Sequence, residues 1–148
     1  MTALTAEFFD HYPIGTQITL ADIELKLTAA RSWEARYREI MLLGKQLPTL
    51  EPALKHDEYL VKGCESKVWL HMVKDNNDCY HFAADSDAKI VKGLVLIVLS
   101  LFNNKSAQQI AATDYNAFFS SIDLLKHLSP SRSNGIKAII QQILDSAS

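Results

Sequence analysis

Residues 87–102, DAKIVKGLVLIVLSLF, decide the fold of this chain. Apolar side chains recur here at spacings of three and four, which is typical of a helix with one wide apolar face. The apolar part is far shorter than the roughly 20 residues that a membrane span requires. The stretch therefore predicts a buried central helix, capped by Asp85 or Ser86, in which Gly93 permits the close approach of a neighbour.

Helical patterns also lie on both sides of this stretch. Thr19 and Asp22 form a capping-box pattern, Ser32 is a candidate N-cap for a helix that ends at Gly44, and Ser129 precedes a proline in a first helical turn. We predict further helices at 20–28, 32–44, 106–112, 115–121 and from 129 onwards.

Between the helices, the alternating pattern predicts a β-hairpin with strands at 66–74 and 79–84 and a loop at 75–78. A four-residue loop would place Lys74 opposite Cys79 and put Tyr80 and Phe82 on the same side as Trp69. A short strand at 58–61 would precede the hairpin. Because a small antiparallel sheet then lies between groups of helices, the predicted class is α+β.

Composition limits the kind of protein. The 148 residues are 48% hydrophobic and 22% charged, which predicts one globular domain, with 1–15 as a loosely docked tail. The net charge of −2 gives no basic face for direct binding of nucleic acid. Two cysteines and no apolar leader predict a reducing compartment, the cytoplasm, without a membrane anchor.

Cys64 is the strongest candidate for chemistry. It follows Gly63, which permits unusual backbone conformations, and it precedes the first predicted strand of the hairpin. Nearby Lys62 and Lys67 would favour the reactive thiolate, whereas Glu65 would oppose it. From these residues alone, Cys64 is a nucleophile, a carrier or an inert buried thiol.

Several other chemistries fit the sequence poorly. None of the five histidines lies in a recognisable hydrolase motif, and two cysteines without a CxxC pair do not provide a metal or iron–sulfur site. A disulfide is also disfavoured, because a strand of eight steps would separate Cys64 from Cys79 by about 26 Å. Disulfide-linked Cα atoms lie within about 7 Å of each other. We therefore interpret Cys79 as a residue without a part in the chemistry.

Arg132 is unusual because a cation in the first turn of a helix opposes the helix dipole. Solvent exposure would make it tolerable. Alternatively, Arg132 reaches an acidic group such as Asp85 or Asp87, or the surface of a partner.

Three segments of the chain resemble the signature segments of the SufE family of sulfur acceptors. They are 63–70 (GCESKVWL), 85–94 (DSDAKIVKGL) and 128–135 (LSPSRSNG). Further similarity at 32–34 (SWE), 42–48 (LLGKQLP) and 14–16 (IGT) is closer to the CsdE branch of the family than to SufE proper.

The resemblance implies a three-stranded antiparallel sheet surrounded by helices and a role in persulfide transfer. Cys64 matches the family's acceptor cysteine, which takes sulfur from a pyridoxal-phosphate-dependent cysteine desulfurase and stimulates that enzyme. The chain itself would need no cofactor and no metal. It would be monomeric alone and would pass sulfur to an iron–sulfur scaffold or to a tRNA-modifying enzyme.

The resemblance also assigns supporting positions. Gly63, Glu65, Ser66 and Trp69 would support the cysteine site, and the other matching residues would pack beside it and form part of the docking surface: Asp85, Ser86, Asp87, Arg132 and Gly135. The alternative function is that of an interaction module that activates a desulfurase allosterically, with Cys64 only structural.

Overall fold

The computed structural model describes residues 4–147. The central helix predicted from residues 87–102 is present as α3 (Lys89–Phe102) and is buried along nearly all of its length. The other helices are α1 (Leu20–Ala29), α2 (Trp33–Gly44), α4 (Ala107–Ala111), α5 (Tyr115–Ser121) and α6 (Pro130–Ser146). Short 3-10 helices lie at Ala6–His11, Pro52–Leu54, Asp57–Tyr59 and Leu125–His127.

Local capping explains where these helices begin. Thr19 and Asp22 form the predicted capping box, with the Asp22 amide donating to the Thr19 hydroxyl at 3.3 Å. Ser32 and Ser129 accept hydrogen bonds from the third residue of α2 and α6. These caps satisfy amides that a helix leaves without partners in its first turn.

Helices α2 and α3 approach closely through two glycines. A Cβ built on Gly44 would lie 2.9 Å from the Gly93 amide, and one built on Gly93 would lie 2.0 Å from the Ile40 carbonyl oxygen. Only residues without side chains fit at this crossing. The predicted role of Gly93 in close helix packing is confirmed.

The sheet contains β1 (Val68–Lys74), β2 (Cys79–Ser86) and the short β3 (Lys105–Ser106), which are antiparallel in the order β1-β2-β3. Together with the flanking helices it confirms the α+β class and the three strands that the family resemblance implies.

The predicted register of the hairpin is wrong by one residue. Lys74 pairs with Tyr80, and the loop between the hydrogen-bonded Asp75 and Cys79 has three residues. The Asp75 carboxylate accepts from the Asn77 and Cys79 amides, and Asp78 adopts a φ of 61°. A turn followed by a left-handed residue is a common three-residue hairpin loop, and it shortens the predicted loop by one position.

This shift changes which side chains share a face of the sheet. Trp69 pairs with Asp85 and Leu70 pairs with Ala84. Because directly opposed residues point to the same side, Tyr80 and Phe82 lie on the face opposite Trp69, contrary to the prediction.

Two further boundaries differ from prediction. Strand β2 continues through Asp85 and Ser86, so neither residue caps α3, which follows Ala88 without a side-chain cap. Residues 58–61 form part of a 3-10 turn and a single bridge between Leu60 and Trp69 instead of a strand. Asp85 and Leu60 both pair with Trp69 of β1, so contact with β1 decides the backbone conformation at both boundaries.

The N-terminal segment is docked more firmly than predicted. Tyr12 and Ile14 are buried members of the core, and Gly15 lies against Asn103 with a φ of 94°. The loosely docked tail predicted for 1–15 is therefore wrong for these residues, while 1–3 lie outside the described part of the chain.

Within residues 4–147, none of the helices combines the length and apolar character needed to cross a lipid bilayer.

Candidate functional site

Cys64 lies in a loop formed by residues 62–67, here called the cysteine loop. At its base, the Val61 amide donates to the Val68 carbonyl at 2.9 Å. At its C-terminal end, the Ser86 hydroxyl donates to the Lys67 carbonyl at 2.7 Å, and the Lys67 amide donates to the Asp87 carboxylate at 3.2 Å. The end of the loop is thus attached to the end of β2.

The tip of the cysteine loop rests on α6. Gly63 has a φ of 94°, and a Cβ at this position would lie 3.3 Å from the Ala138 Cβ, so both backbone conformation and space favour glycine. The Cys64 thiol donates to the Gly135 carbonyl, with the sulfur 3.5 Å from the oxygen. A Cβ at Gly135 would lie 3.5 Å from the sulfur, which is an ordinary van der Waals contact.

Beneath the thiol is a small cavity of about 20 Å³. Most of its wall is apolar and comes from α3 and α6, with Ser66 and Arg132 as polar members. Eight residues line it: Cys64, Ser66, Val91, Leu94, Arg132, Gly135, Ile136 and Ile139.

Burial controls the electrostatics of the thiol. Cys64 is half-buried, and this burial raises the pKa of its thiol above the ordinary value because the thiolate is less well solvated. The inward-facing cysteine is therefore protonated at neutral pH. Since the thiolate is the nucleophile, this conformation is suited to storage more than to attack.

We expect the alkylation of Cys64 by iodoacetamide to have a higher pH midpoint in the folded protein than in denaturant. The folded pKa is raised, so folded Cys64 remains a thiol at pH values where the unfolded chain already carries thiolate. Peptide-level mass spectrometry across a pH series measures the two midpoints separately from Cys79. A folded midpoint at or below the unfolded one would contradict the burial effect.

Ser86, Asp87 and Gly135 lie beside the cysteine loop, as expected. Arg132 also reaches the cavity wall, and its amide donates to the Ser129 cap. Among residues 4–147 no ion pair joins Arg132 to Asp85 or Asp87, so the predicted ion pair with these residues is wrong, while solvent exposure and contact with a partner stay predictions for this partly exposed residue.

Asp85 does not join the site. Its carboxylate is fully buried and accepts from the Leu50 amide at 3.0 Å, with Lys55 at 3.1 Å and Lys92 at 3.7 Å. The prediction that Asp85 packs beside the cysteine loop is therefore wrong. Asp85 instead holds the chain before β1 against the end of β2.

Trp69 also contacts residues away from the cavity. Its ring lies beneath the Lys55 ammonium at 5.5 Å and its backbone bridges to Leu60. Within the described residues it does not line the cavity, whereas Ser66 does, and Glu65 is exposed in the cysteine loop.

The other candidate chemistries find no support around Cys64. No histidine in the described part of the chain lines the cavity, and the strand histidines have structural partners: His71 contacts the Leu54 carbonyl at 2.8 Å and His81 contacts Asp75 at 2.7 Å. Both cysteines are free, so no disulfide joins Cys64 to Cys79. In residues 4–147 no three His, Cys, Asp or Glu side chains converge as a metal site would require.

Sequence reasoning did not identify the four apolar residues of the cavity as part of the site. In the sequence, Val91, Leu94, Ile136 and Ile139 are recognisable only as apolar positions of the predicted helices. Their positions in the chain could have pointed to the site. Val91 and Leu94 lie within the second signature segment, 85–94, and Ile136 directly follows the third, 128–135.

A small antiparallel sheet with flanking helices, and one cysteine loop resting on the last helix, defines the class to which this chain belongs. It is a member of the SufE family: the family model described as "SufE: Fe-S metabolism associated domain" matches residues 21–147. The chain is 35% identical over 141 residues to "Sulfur acceptor protein CsdE" of Escherichia coli (strain K12), covering 95% of this chain and 96% of CsdE. The predicted family is confirmed, and this similarity supports the CsdE branch.

Among solved structures, the solution structure of a hypothetical protein from Thermus thermophilus superposes with a TM-score of 0.66. The match covers 88% of this chain and 96% of the other at 13% identity. At this identity the likeness shows a shared fold alone.

Proposed function

We propose that this protein is a sulfur acceptor that takes persulfide sulfur from a pyridoxal-phosphate-dependent cysteine desulfurase onto Cys64. The observation that carries the proposal is the position of Cys64 in a loop, half-buried above a cavity and in contact with α6. Membership of the SufE family and similarity to a protein named as a sulfur acceptor support it.

The chemistry is thiol exchange. The Cys64 thiolate attacks the outer sulfur of the donor persulfide, and the donor thiolate leaves. Burial raises the pKa of the Cys64 thiol and opposes thiolate formation in the inward conformation, so an outward turn of the acceptor would favour reaction. The described contacts permit an outward turn. The cysteine loop is anchored at its ends, and among residues 4–147 the thiol has one hydrogen bond, a weak one to the Gly135 carbonyl.

The desulfurase would dock around the cysteine loop. Lys62 and Lys67 are exposed and can present their charges to a partner, as can Glu65. Arg132 at the cavity wall is partly exposed, so its charge can also reach the surface of a partner.

The proposal assigns pyridoxal phosphate to the desulfurase and no cofactor to this chain. The chain would work in the cytoplasm as a monomer when its partner is absent. An iron–sulfur scaffold or a tRNA-modifying enzyme would receive the sulfur.

Intact-mass analysis tests the proposal directly. Incubation with a cysteine desulfurase, pyridoxal phosphate and cysteine should add one sulfur atom to the protein, and a thiol reductant should remove it. The same mixture without cysteine is the control. An unchanged mass under conditions in which the desulfurase turns over would contradict the proposed function.

A further inference from the structure

The surface around Cys64 is positively charged, although the whole chain has a net charge of −2. We define the cysteine face as the cysteine loop (62–67), the segment that anchors it (86–89) and the part of α6 on which it rests (130–139). This face has two carboxylates, Glu65 and Asp87, and five exposed or partly exposed cations: Lys62, Lys67, Lys89, Arg132 and Lys137. Its net charge is therefore +3, and the rest of the chain carries −5.

Contacts of the cysteine loop gather these cations on one side of the molecule. Lys62 lines a surface groove together with Ala138, whose neighbour Lys137 is exposed on α6. Arg132 lines the cavity beneath Cys64. Cations from the loop and from α6 therefore lie around the thiol.

These positive charges are not neutralised by neighbours. In the part of the chain that the structure describes, none of the five cations forms an ion pair. The Asp87 carboxylate is already engaged, since it accepts from the Lys67 amide at 3.2 Å. Asp145 also lines the groove, but it accepts from Gln141 at 2.9 Å and lies about two helical turns beyond Lys137. The positive potential of the cysteine face is thus directed at solvent.

We propose that the cysteine face receives an acidic protein surface, the one that surrounds the persulfide donor of the cysteine desulfurase, and that electrostatic attraction steers this encounter. The proposal rests on the sulfur-acceptor function proposed above and names the chemistry of the partner's surface. Complementary charge of this kind raises association rates by about 10-fold to 1,000-fold. An outward turn of Cys64 would bring the thiol to the centre of the contact.

The pattern of charge favours a protein over a polyanion such as tRNA or an anionic lipid surface. Glu65 is exposed directly beside Cys64, where it would repel a closely spaced row of phosphates. A protein surface can place a cation opposite Glu65 and carboxylates opposite the lysines on either side of it. The mixed cysteine face therefore fits an acidic protein surface that carries a cation of its own.

The potential at Cys64 can be measured without a partner. Iodoacetate is an anion, iodoacetamide is neutral, and both alkylate the same thiolate, so the ratio of their rates reports local charge. In a Cys79→Ser background at an ionic strength of about 0.01 M, we expect this ratio to be at least about threefold higher in the folded protein than in urea. Salt at about 1 M should abolish the difference, because the Debye length falls to about 3 Å. Equal ratios in the folded protein and in urea at low salt would overturn the proposal.

Cys79 provides a control of the opposite sign in a Cys64→Ser background. Its amide donates to the Asp75 carboxylate at 3.1 Å, and the adjacent Asp78 is exposed. We expect the ratio of iodoacetate to iodoacetamide rates at Cys79 to be lower in the folded protein than in urea. A raised ratio at both cysteines would be an effect of folding in general and would contradict a local potential at the cysteine face.

Charge reversal locates the potential. Lys62→Glu combined with Lys137→Glu changes the cysteine face from +3 to −1 at two exposed positions. This double variant should lower the ratio at Cys64 at least about fivefold. Lys26→Glu combined with Arg31→Glu makes the same change in total charge at exposed positions outside the cysteine face and should leave the ratio as in the parent. Equal ratios in the two double variants would contradict the proposal.

Association with a cysteine desulfurase tests the charge of the partner. The association rate constant of the natural chain should fall at least about tenfold between about 0.02 M and 0.5 M salt, with a smaller change in the dissociation rate constant. Lys62→Glu with Lys137→Glu should slow association at low salt by a similar factor, whereas the control double variant should not. Association that is independent of salt, or tighter binding of tRNA or anionic vesicles than of the desulfurase at the same salt, would overturn the proposal.

These results are distinguishable from those that test the proposed function. A protein that gains sulfur from the desulfurase but associates with it independently of salt would retain the proposed function and lose the acidic partner surface. A protein with a positive potential at Cys64 and salt-dependent association that gains no sulfur would have the reverse outcome.

Discussion

Replacement of Cys64 by serine is expected to abolish sulfur uptake from a cysteine desulfurase and to leave the fold intact. A serine hydroxyl neither attacks persulfide sulfur at neutral pH nor stores it, so the gain of one sulfur in intact mass should fall to background. Serine differs from cysteine by one atom at a half-buried position, and we expect the free energy of unfolding to change by about 1 kcal/mol or less.

Cys79→Ser is the matched control. Cys79 is the first residue of β2, pairs with Ser106 in β3 and is not part of the cavity lining. This variant should gain one sulfur as the natural chain does. If Cys64→Ser still gains sulfur, or if Cys79→Ser loses the gain, Cys64 is not the acceptor.

The same pair of variants distinguishes the alternative function. An interaction module that activates a desulfurase allosterically would use Cys64 only as a structural residue. Under that alternative, Cys64→Ser would stimulate cysteine turnover as well as the natural chain does. Under the proposed function the stimulation disappears with the acceptor sulfur, and a turnover assay decides between them.

Gly93→Ala is expected to produce the largest loss of stability of any single methyl addition considered. The new Cβ would lie 2.0 Å from the Ile40 carbonyl oxygen and 2.7 Å from the Ile40 Cγ2, so α2 and α3 would have to separate. Overpacking of a core costs roughly 1–3 kcal/mol and occasionally more. The gain in helix propensity from glycine to alanine is only about 1 kcal/mol.

We therefore expect a net loss of about 2 kcal/mol for Gly93→Ala, from the upper end of the overpacking cost less the gain in propensity, which lowers the melting temperature by roughly 4–8 °C for a chain of this size. Gly135→Ala is a matched control, since it adds the same methyl group to a helical glycine with ordinary van der Waals room. Its stability should stay the same or rise. Thermal unfolding followed by circular dichroism measures both, and equal melting temperatures would contradict the close helix crossing.

Local sequence determined the helices of this protein and much of its class. The caps at Thr19, Ser32 and Ser129 and the apolar period of α3 depend on residues within a few positions of each other. Hydrogen bonds in a first turn and the spacing of an apolar stripe are local properties, so the α+β order could be predicted from them. The resemblance to the SufE family rested likewise on short continuous segments.

Pairing between distant segments was decided only in the tertiary structure. The hairpin register depends on how the Asp75 carboxylate closes the loop, which a count of polar residues does not reveal. Asp85 lies one residue from Ser86 in the chain, yet the pleat of β2 directs its carboxylate to Leu50 and Lys55 instead of to the cysteine loop. Tyr12 likewise becomes core because the rest of the chain covers it.

The sequence by itself determined that Cys64 is a loop thiol that follows a glycine, and the resemblance gave it a role to test. The tertiary structure decided what surrounds that thiol: the Gly135 carbonyl, 71 positions along the chain, and a cavity of about 20 Å³ between α3 and α6. The physical reason is that a cavity is the space left between elements packed together, and no single element contains information about it.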